Sequence, residues 1–170
     1  LELTMLRPSV IFGAQDQFLN LFARLQAVFP VMPLAGAHAR FQPVWVDDVA
    51  AAIVCSLQRS VLRQAAGAAV RIVEACGPDV YTLKELVQMA GQFSGANGGR
   101  GRPVIALPDA LGRLQALLME FAPGPTLMSR DNLDSMKVDN VATGLVPGLQ
   151  ALGISPAHLE PIARGYLRPA

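Results

Sequence analysis

The chain has 170 residues, 52% of them hydrophobic, with 14 lysines and arginines against 13 aspartates and glutamates and a formal net charge of +1. The apolar fraction is ample for a packed core and excludes a disordered chain, while the near-neutral charge leaves no electrostatic footprint for nucleic acid. Two cysteines, Cys55 and Cys76, are too few for a disulfide framework and, with no signal peptide evident, read as reduced thiols of a cytoplasmic protein.

A mean hydropathy of +0.36 calls for a test of membrane spans. The long uncharged stretches 25–39 and 140–159 are broken by Pro30, Pro33 and Gly36 and by Gly144, Pro147, Gly148, Gly153 and Pro156. Neither offers the roughly 20 continuous apolar helical residues that a span needs. The chain opens at Leu1 and runs at once into the apolar segment 3–6, which reads as a fragment of a longer protein.

Leu3, Met5 and Leu6 predict a short strand stopped at Pro8, and 10–13 continues as an extended loop. Asp16 is the expected N-cap of a helix whose inward face is Phe18, Leu21, Phe22, Leu25, Val28 and Phe29, with Pro30 as its stop. Residues 41–46 are extended, and Asp47 or Asp48 caps a helix facing inward through Val49, Ala52, Ile53 and Leu57, with Cys55 beside that face. Residues 70–73 predict a β-branched strand, followed by a Gly77-Pro78-Asp79 turn.

Thr82 and Glu85 form a capping box that opens a helix with Leu83, Leu86, Val87, Ala90 and Phe93 inward. A loop over 95–101 leads to an extended piece at 103–107. Pro108-Asp109 starts a helix through Leu111, Leu114, Leu118 and Phe121, stopped by Pro123 to Pro125. A shorter helix begins near Ser129, and Ser155-Pro156 is the expected cap and first turn of a last helix carrying Leu159, Ile162 and Tyr166. Alternating strands and helices of this kind predict an α/β fold, with too few strands for a complete sheet.

Several patterns invite a chemical reading that their context opposes. The glycine-rich run Gly95 to Gly101 follows a helix and precedes a strand, so its amides do not open a helix as a phosphate cradle requires. His38 and His158 lack neighbouring ligands at metal spacing. Asp47 and Asp48 are read as helix caps rather than paired catalytic carboxylates, and Cys55 as an inert thiol. Tyr81 and Lys84 are three apart and straddle the capping Thr82, so they do not form a dehydrogenase Tyr/Lys pair. No catalytic residue and no metal site is assigned from the residues themselves.

Arg7-Pro8-Ser9-Val10-Ile11-Phe12-Gly13 and the later Phe41-Gln42-Pro43-Val44-Trp45-Val46-Asp47-Asp48-Val49-Ala50 resemble two segments of the extended and atypical short-chain dehydrogenases/reductases. Residues 74–86, 129–133, 146–149 and 152–154 narrow the resemblance to NAD(P)H-binding accessory subunits of respiratory complex I and their bacterial relatives of the NAD-dependent epimerase/dehydratase type. The resemblance implies the C-terminal part of a Rossmann-like fold, in which 1–90 ends the sheet with its helices and 91–170 is a mostly helical subdomain.

It further implies that Pro8, Ser9, Val10 and Ile11 wall the nicotinamide end of NAD or NADP, and that Arg40 and Gln42 line the substrate cleft. The pyrophosphate turn and the Tyr-x-x-x-Lys of such proteins would lie in an N-terminal half, so this chain alone would bind NAD(P)(H) weakly and catalyse nothing. Under the resemblance the protein is an accessory subunit docked on a membrane-associated respiratory complex, peripheral to the inner membrane, or else an oxidoreductase or sugar-nucleotide epimerase. The rival without a nucleotide is an autonomous helical interaction module. An uncovered strand edge would make the chain self-associate.

Overall fold

In the computed structural model, the residues described are 3–62, 70–108, 110–113 and 130–168. Strand β1 (Leu3–Pro8) pairs in parallel with β6 (Val70–Ala75), Leu3 opposite Val70 and Pro8 opposite Ala75. Between them come β2 (Ile11–Phe12), α1 (Leu19–Val28), β3 (Met32–Leu34), β4 (Arg40–Phe41), β5 (Val44–Trp45) and α2 (Val46–Leu62). After β6 follow β7 (Tyr81–Thr82), α3 (Leu83–Phe93), β8 (Val104–Ala106), a helical turn at 110–113, α4 (Arg130–Ser135), a 3₁₀ turn at Leu149–Leu152 and α5 (Leu159–Tyr166). Three more two-stranded pairs are parallel β2 with β5, parallel β3 with β8 and antiparallel β4 with β7.

Two apolar cores hold these elements, and each draws on residues from both sides of residue 90. The larger joins Phe12, Leu19 and Phe22 to Met32 and Leu34, the inward face of α3, Val104, and Leu159 and Ala163 of α5. The smaller sits on one face of the β1/β6 pair, where Val73 and Ala75 meet Val44, Ala52, Leu149 and Leu152, with Leu6 and Cys55 at its margin. On the opposite face Leu3 and Met5 are exposed, although parallel sheets are ordinarily covered on both sides.

The α3 expectation holds in full. Thr82 Oγ1 accepts from the Glu85 amide while the Glu85 carboxylate accepts from the Thr82 amide, and all five expected apolar residues are buried. Other expectations are corrected. Residues 11–12 are a strand rather than loop, because Val10 accepts from the Val44 amide and draws them against β5. Helix α1 buries Leu19, Phe22, Ala23 and Gln26 and leaves Val28 75% exposed, since it packs on α3 through a face rotated from the purely apolar one. Asp16 does hold its first amides, with Oδ1 accepting from Leu19 at 2.6 Å and Asn20 at 3.3 Å, but the helix starts at Leu19 and Phe18 rather than Asp16 stands at the N-cap position.

Strand β3 is absent from the sequence-based expectation. Pro33 argues against a central strand, but it is tolerated here because β3 has a single hydrogen-bonded neighbour among the described residues. Helix α2 begins at Val46, so Asp47 and Asp48 lie inside its first turn. Buried Asp48 accepts instead from the Ala157 amide at 2.8 Å, tying α2 to the segment before α5. Ile53 and Leu57, expected inward, are exposed, because α2 packs on the smaller core through Ala52, with Val49 and Cys55 at its margin. The last helix starts at Leu159 with His158 at its N-cap position, later than Ser155-Pro156 suggests. The predicted helix from Pro108 is present at 110–113, while Leu114, Leu118, Phe121 and the proline stop lie outside the described residues.

Candidate functional site

The turn from β1 to β2 carries the four residues expected to wall a cofactor. Pro8 and Ile11 are exposed, Val10 is half-buried and Ser9 is buried. The backbone polar groups here are already engaged. The Ser9 amide donates to the Ala75 carbonyl at 3.3 Å, and the Val10 carbonyl accepts from Val44 at 3.0 Å. What the turn presents outward is therefore the Pro8 ring and the Ile11 side chain, a small apolar wall.

The Ser9 hydroxyl faces into the protein. It donates to the Asn140 carbonyl at 2.7 Å and accepts from the Gln42 amide at 3.1 Å. Gln42 uses both ends of its carboxamide: Nε2 donates to the Gly77 carbonyl at 2.7 Å, and Oε1 accepts from the Ala142 amide at 2.8 Å. Arg40, on the neighbouring strand β4, exchanges backbone bonds with the same stretch. Its amide donates to the Asp139 carboxylate at 3.2 Å and its carbonyl accepts from Asn140 at 2.8 Å, while its exposed guanidinium stands 3.9 Å from Asp139. The fold thus brings Ser9, Arg40 and Gln42 together around residues 139–142, which carry no signal of their own in the sequence.

Beside them Glu74, on β6, is buried yet ionised. Its carboxylate accepts from Thr143 Oγ1 at 2.7 Å, from the Thr143 amide at 3.0 Å and from the Gly144 amide at 3.2 Å. The Thr143 hydroxyl, then the Thr143 and Gly144 amides, with Arg7 nearby, outweigh burial and hold its pKa below the ordinary 4.5. Half-buried Cys76 follows just past the end of β6; burial, opposed by a hydrogen bond from the Ser9 backbone, pushes its thiol up, so it stays protonated and unreactive at neutral pH.

The remaining groups weighed from the sequence lie elsewhere. Tyr81 sits in β7, outside α3 as expected, and burial followed by Asp79 and Glu160 pushes its phenol up to about 12, far from a group that exchanges protons at neutral pH. His158 Nδ1 is 2.6 Å from Asp79 Oδ2 on the surface. His38 borders a cavity of about 210 Å³ floored by Ala35, Leu107 and Met136, with Arg113 and Lys137 both paired to Asp134 at its rim. Among the described residues no group of three or more His, Cys, Asp or Glu could hold a metal ion, and no helix is long and apolar enough to cross a membrane.

The fold is shared with solved nucleotide-sugar enzymes. MoeE5 in complex with UDP-glucose and NAD superposes with a TM-score of 0.57 at 14% identity, over 98% of this chain and 46% of that one. UDP-glucose 4-epimerase from Thermus thermophilus, also with NAD, gives 0.51 at 15%, again over 98% and 46%. The chain has, in part, the Rossmann-like α/β fold of these NAD-bound structures. No protein-family model matches it.

Its sequence relatives are subunits of respiratory complex I. It is 27% identical over 169 residues to the NADH dehydrogenase [ubiquinone] 1 alpha subcomplex subunit 9 of Arabidopsis thaliana and 32% identical over 167 residues to that of Mus musculus. It is 25% identical over 167 residues to the NADH-ubiquinone oxidoreductase 40 kDa subunit of Neurospora crassa. These alignments take in 94%, 94% and 98% of this chain, which spans about 40% of the length of the relatives. The resemblance to complex I accessory subunits, drawn from residues 74–86, 129–133, 146–149 and 152–154 after 7–13 and 41–50 had suggested the broader short-chain dehydrogenase/reductase type, is upheld.

Proposed function

We propose that this chain is the part of a complex I accessory subunit that closes the sheet of an NAD(H)-binding fold and forms one wall of its nucleotide cleft. The observation that carries the proposal is the run of complex I subunits that align with nearly the whole chain. In this reading the nicotinamide end of the dinucleotide lies against Pro8 and Ile11, and Arg40 and Gln42 border the space beyond. An apolar proline ring and a branched side chain suit a planar ring. The turn opens no helix and so offers no row of free amides for a pyrophosphate, and in this reading that contact is made elsewhere in the full-length protein. When bound, the dinucleotide would supply hydride chemistry or, in an accessory role, stability alone.

Glu74 and Cys76, two ionisable groups beside this wall, are held as a hydrogen-bonded carboxylate and a protonated thiol, so in this reading the wall contributes shape and position rather than proton transfer. The edge of β1 that is unpaired among the described residues supports addition of further strands there, the exposed Leu3 and Met5 face supports a covering layer, and the same edge would let the chain alone self-associate. The respiratory complex is the proposed partner of the whole protein, which would sit on the membrane periphery through that partner.

Calorimetric titration of the full-length protein with NADH tests the cofactor, and its co-migration with NADH dehydrogenase activity in native gels tests the partner. Saturable binding with Kd at or below about 10 μM, roughly −7 kcal/mol, is expected. No binding at millimolar NADH, or a protein that migrates apart from the complex, would remove the corresponding half of the proposal.

A further inference from the structure

Residues 139–148 pass the carboxyl ends of β1 and β6 beside the Pro8–Ile11 wall and are pinned at seven of their ten positions, 139, 140, 142, 143, 144, 147 and 148. In order, Asp139 and Asn140 hold Arg40, Asn140 accepts from Ser9 Oγ, Ala142 donates to Gln42, and Thr143 and Gly144 clasp the Glu74 carboxylate. Pro147 then accepts from the Glu74 amide at 2.9 Å, and Gly148 forms a parallel bridge to Glu74. The same stretch leaves Leu145 88% exposed, so polar bonds from beneath hold it in place rather than apolar burial.

We infer that residues 139–148 are a strap whose order sets the position of the Pro8–Ile11 wall, with Ser9 and Gln42 as the positioning residues that link the two. This rests on the proposed cleft only in naming what the wall faces. Ser9 has its hydroxyl on the strap, its amide on Ala75 and its neighbours Pro8 and Val10 on the wall, so the wall and the strap share one hydrogen-bonded unit. Two segments that share such a unit are coupled reciprocally: a ligand that orders the wall orders the strap, and loosening the strap weakens the ligand.

Hydrogen exchange on the full-length protein, with and without NADH, tests this in Glu74→Gln and Thr143→Val. Thr143→Val keeps the shape of the side chain and removes the hydroxyl bond to Glu74 together with the one that hydroxyl accepts from the Leu145 amide, while both backbone bonds to Glu74 remain, so it guards against a failure of Glu74→Gln to fold. Both variants are expected to raise exchange at the 142–145 amides and, with them, at Ser9 and Val44, and to weaken NADH binding by roughly five-fold or more. Faster exchange in the strap with Ser9 and Val44 unchanged would overturn the coupling. Joint loosening of strap and wall in variants whose wild type shows no NADH protection would uphold the strap and overturn the nucleotide reading instead.

Discussion

Replacing Glu74 by Gln removes a buried charge that three donors share, and the cost can be worked from the contacts. The carboxylate accepts from the Thr143 hydroxyl and from the Thr143 and Gly144 amides. A glutamine keeps one oxygen and turns an NH2 toward the others, so at least one donor loses its partner and the rest lose the charge. At about 1–3 kcal/mol for an orphaned buried donor, the loss at neutral pH is about 2–3 kcal/mol. With a urea slope of about 2 kcal/mol per molar, the unfolding midpoint falls by roughly 1 M.

The pH dependence supplies the sharper test. The folded-state pKa of Glu74 lies below the ordinary 4.5, held there first by the Thr143 hydroxyl, so the folded protein binds fewer protons than the unfolded chain. Its contribution is therefore complete above about pH 4.5 and is lost as pH falls through the folded value. Urea titrations of wild type and Glu74→Gln from pH 7 to pH 3 should show a gap that narrows on the acid side. A gap that stays constant across that range, or is under about 0.5 kcal/mol at pH 7, would refute the assignment of a charged clasp.

Three further outcomes follow from the same contacts. The ideal Cβ of an alanine at Gly77 would stand 1.8 Å from the Pro43 carbonyl oxygen, so Gly77→Ala should cost more than about 3 kcal/mol and reduce soluble yield; wild-type stability in denaturant titration would contradict the close approach. Buried Gln26 donates to the Val87 carbonyl and accepts from the Arg102 amide at 2.7 Å, so Gln26→Leu, which orphans both, should cost about 2–4 kcal/mol by thermal or urea unfolding. The two tyrosines of the chain are both shifted upward, Tyr81 to about 12 by burial and Asp79, and Tyr166 further by burial and its 2.6 Å bond to Asp16. Ultraviolet titration of the 170-residue chain should then show little phenolate below about pH 11, and a full midpoint near the ordinary value of about 10 would count against both environments.

What can be read from the sequence is local. The Thr82/Glu85 box, the α3 face and the Asp16 hold on the first amides of α1 are decided by residues close together in the chain, and they are as expected. Expectation and structure part where distant chain decides. Pro33 forbids a central strand but not one with a single neighbour, and that neighbour, Val104 to Ala106, comes far later in the sequence. Gln26 is no part of the apolar face expected for α1, and it is buried because the distant Val87 carbonyl and Arg102 amide satisfy its carboxamide.

The site divides in the same way. Ser9, Arg40 and Gln42 are singled out through the family resemblance, and they do converge, on residues 139–142 of the distant strap. Glu74 and Thr143 are 69 positions apart, and neither carries a spacing that announces the pair. A buried glutamate in a β-branched strand is the one available signal, because an unpaired carboxylate there would be too costly to keep.

The central claim, that this chain walls an NAD(H) cleft through Pro8–Ile11, is tested most directly by hydrogen exchange on the full-length protein across an NADH titration. The account predicts saturable slowing of exchange at the Ser9 and Val44 amides, following the calorimetric binding curve. Saturable NADH binding that leaves those amides at their unliganded rates would place the dinucleotide elsewhere and contradict the account.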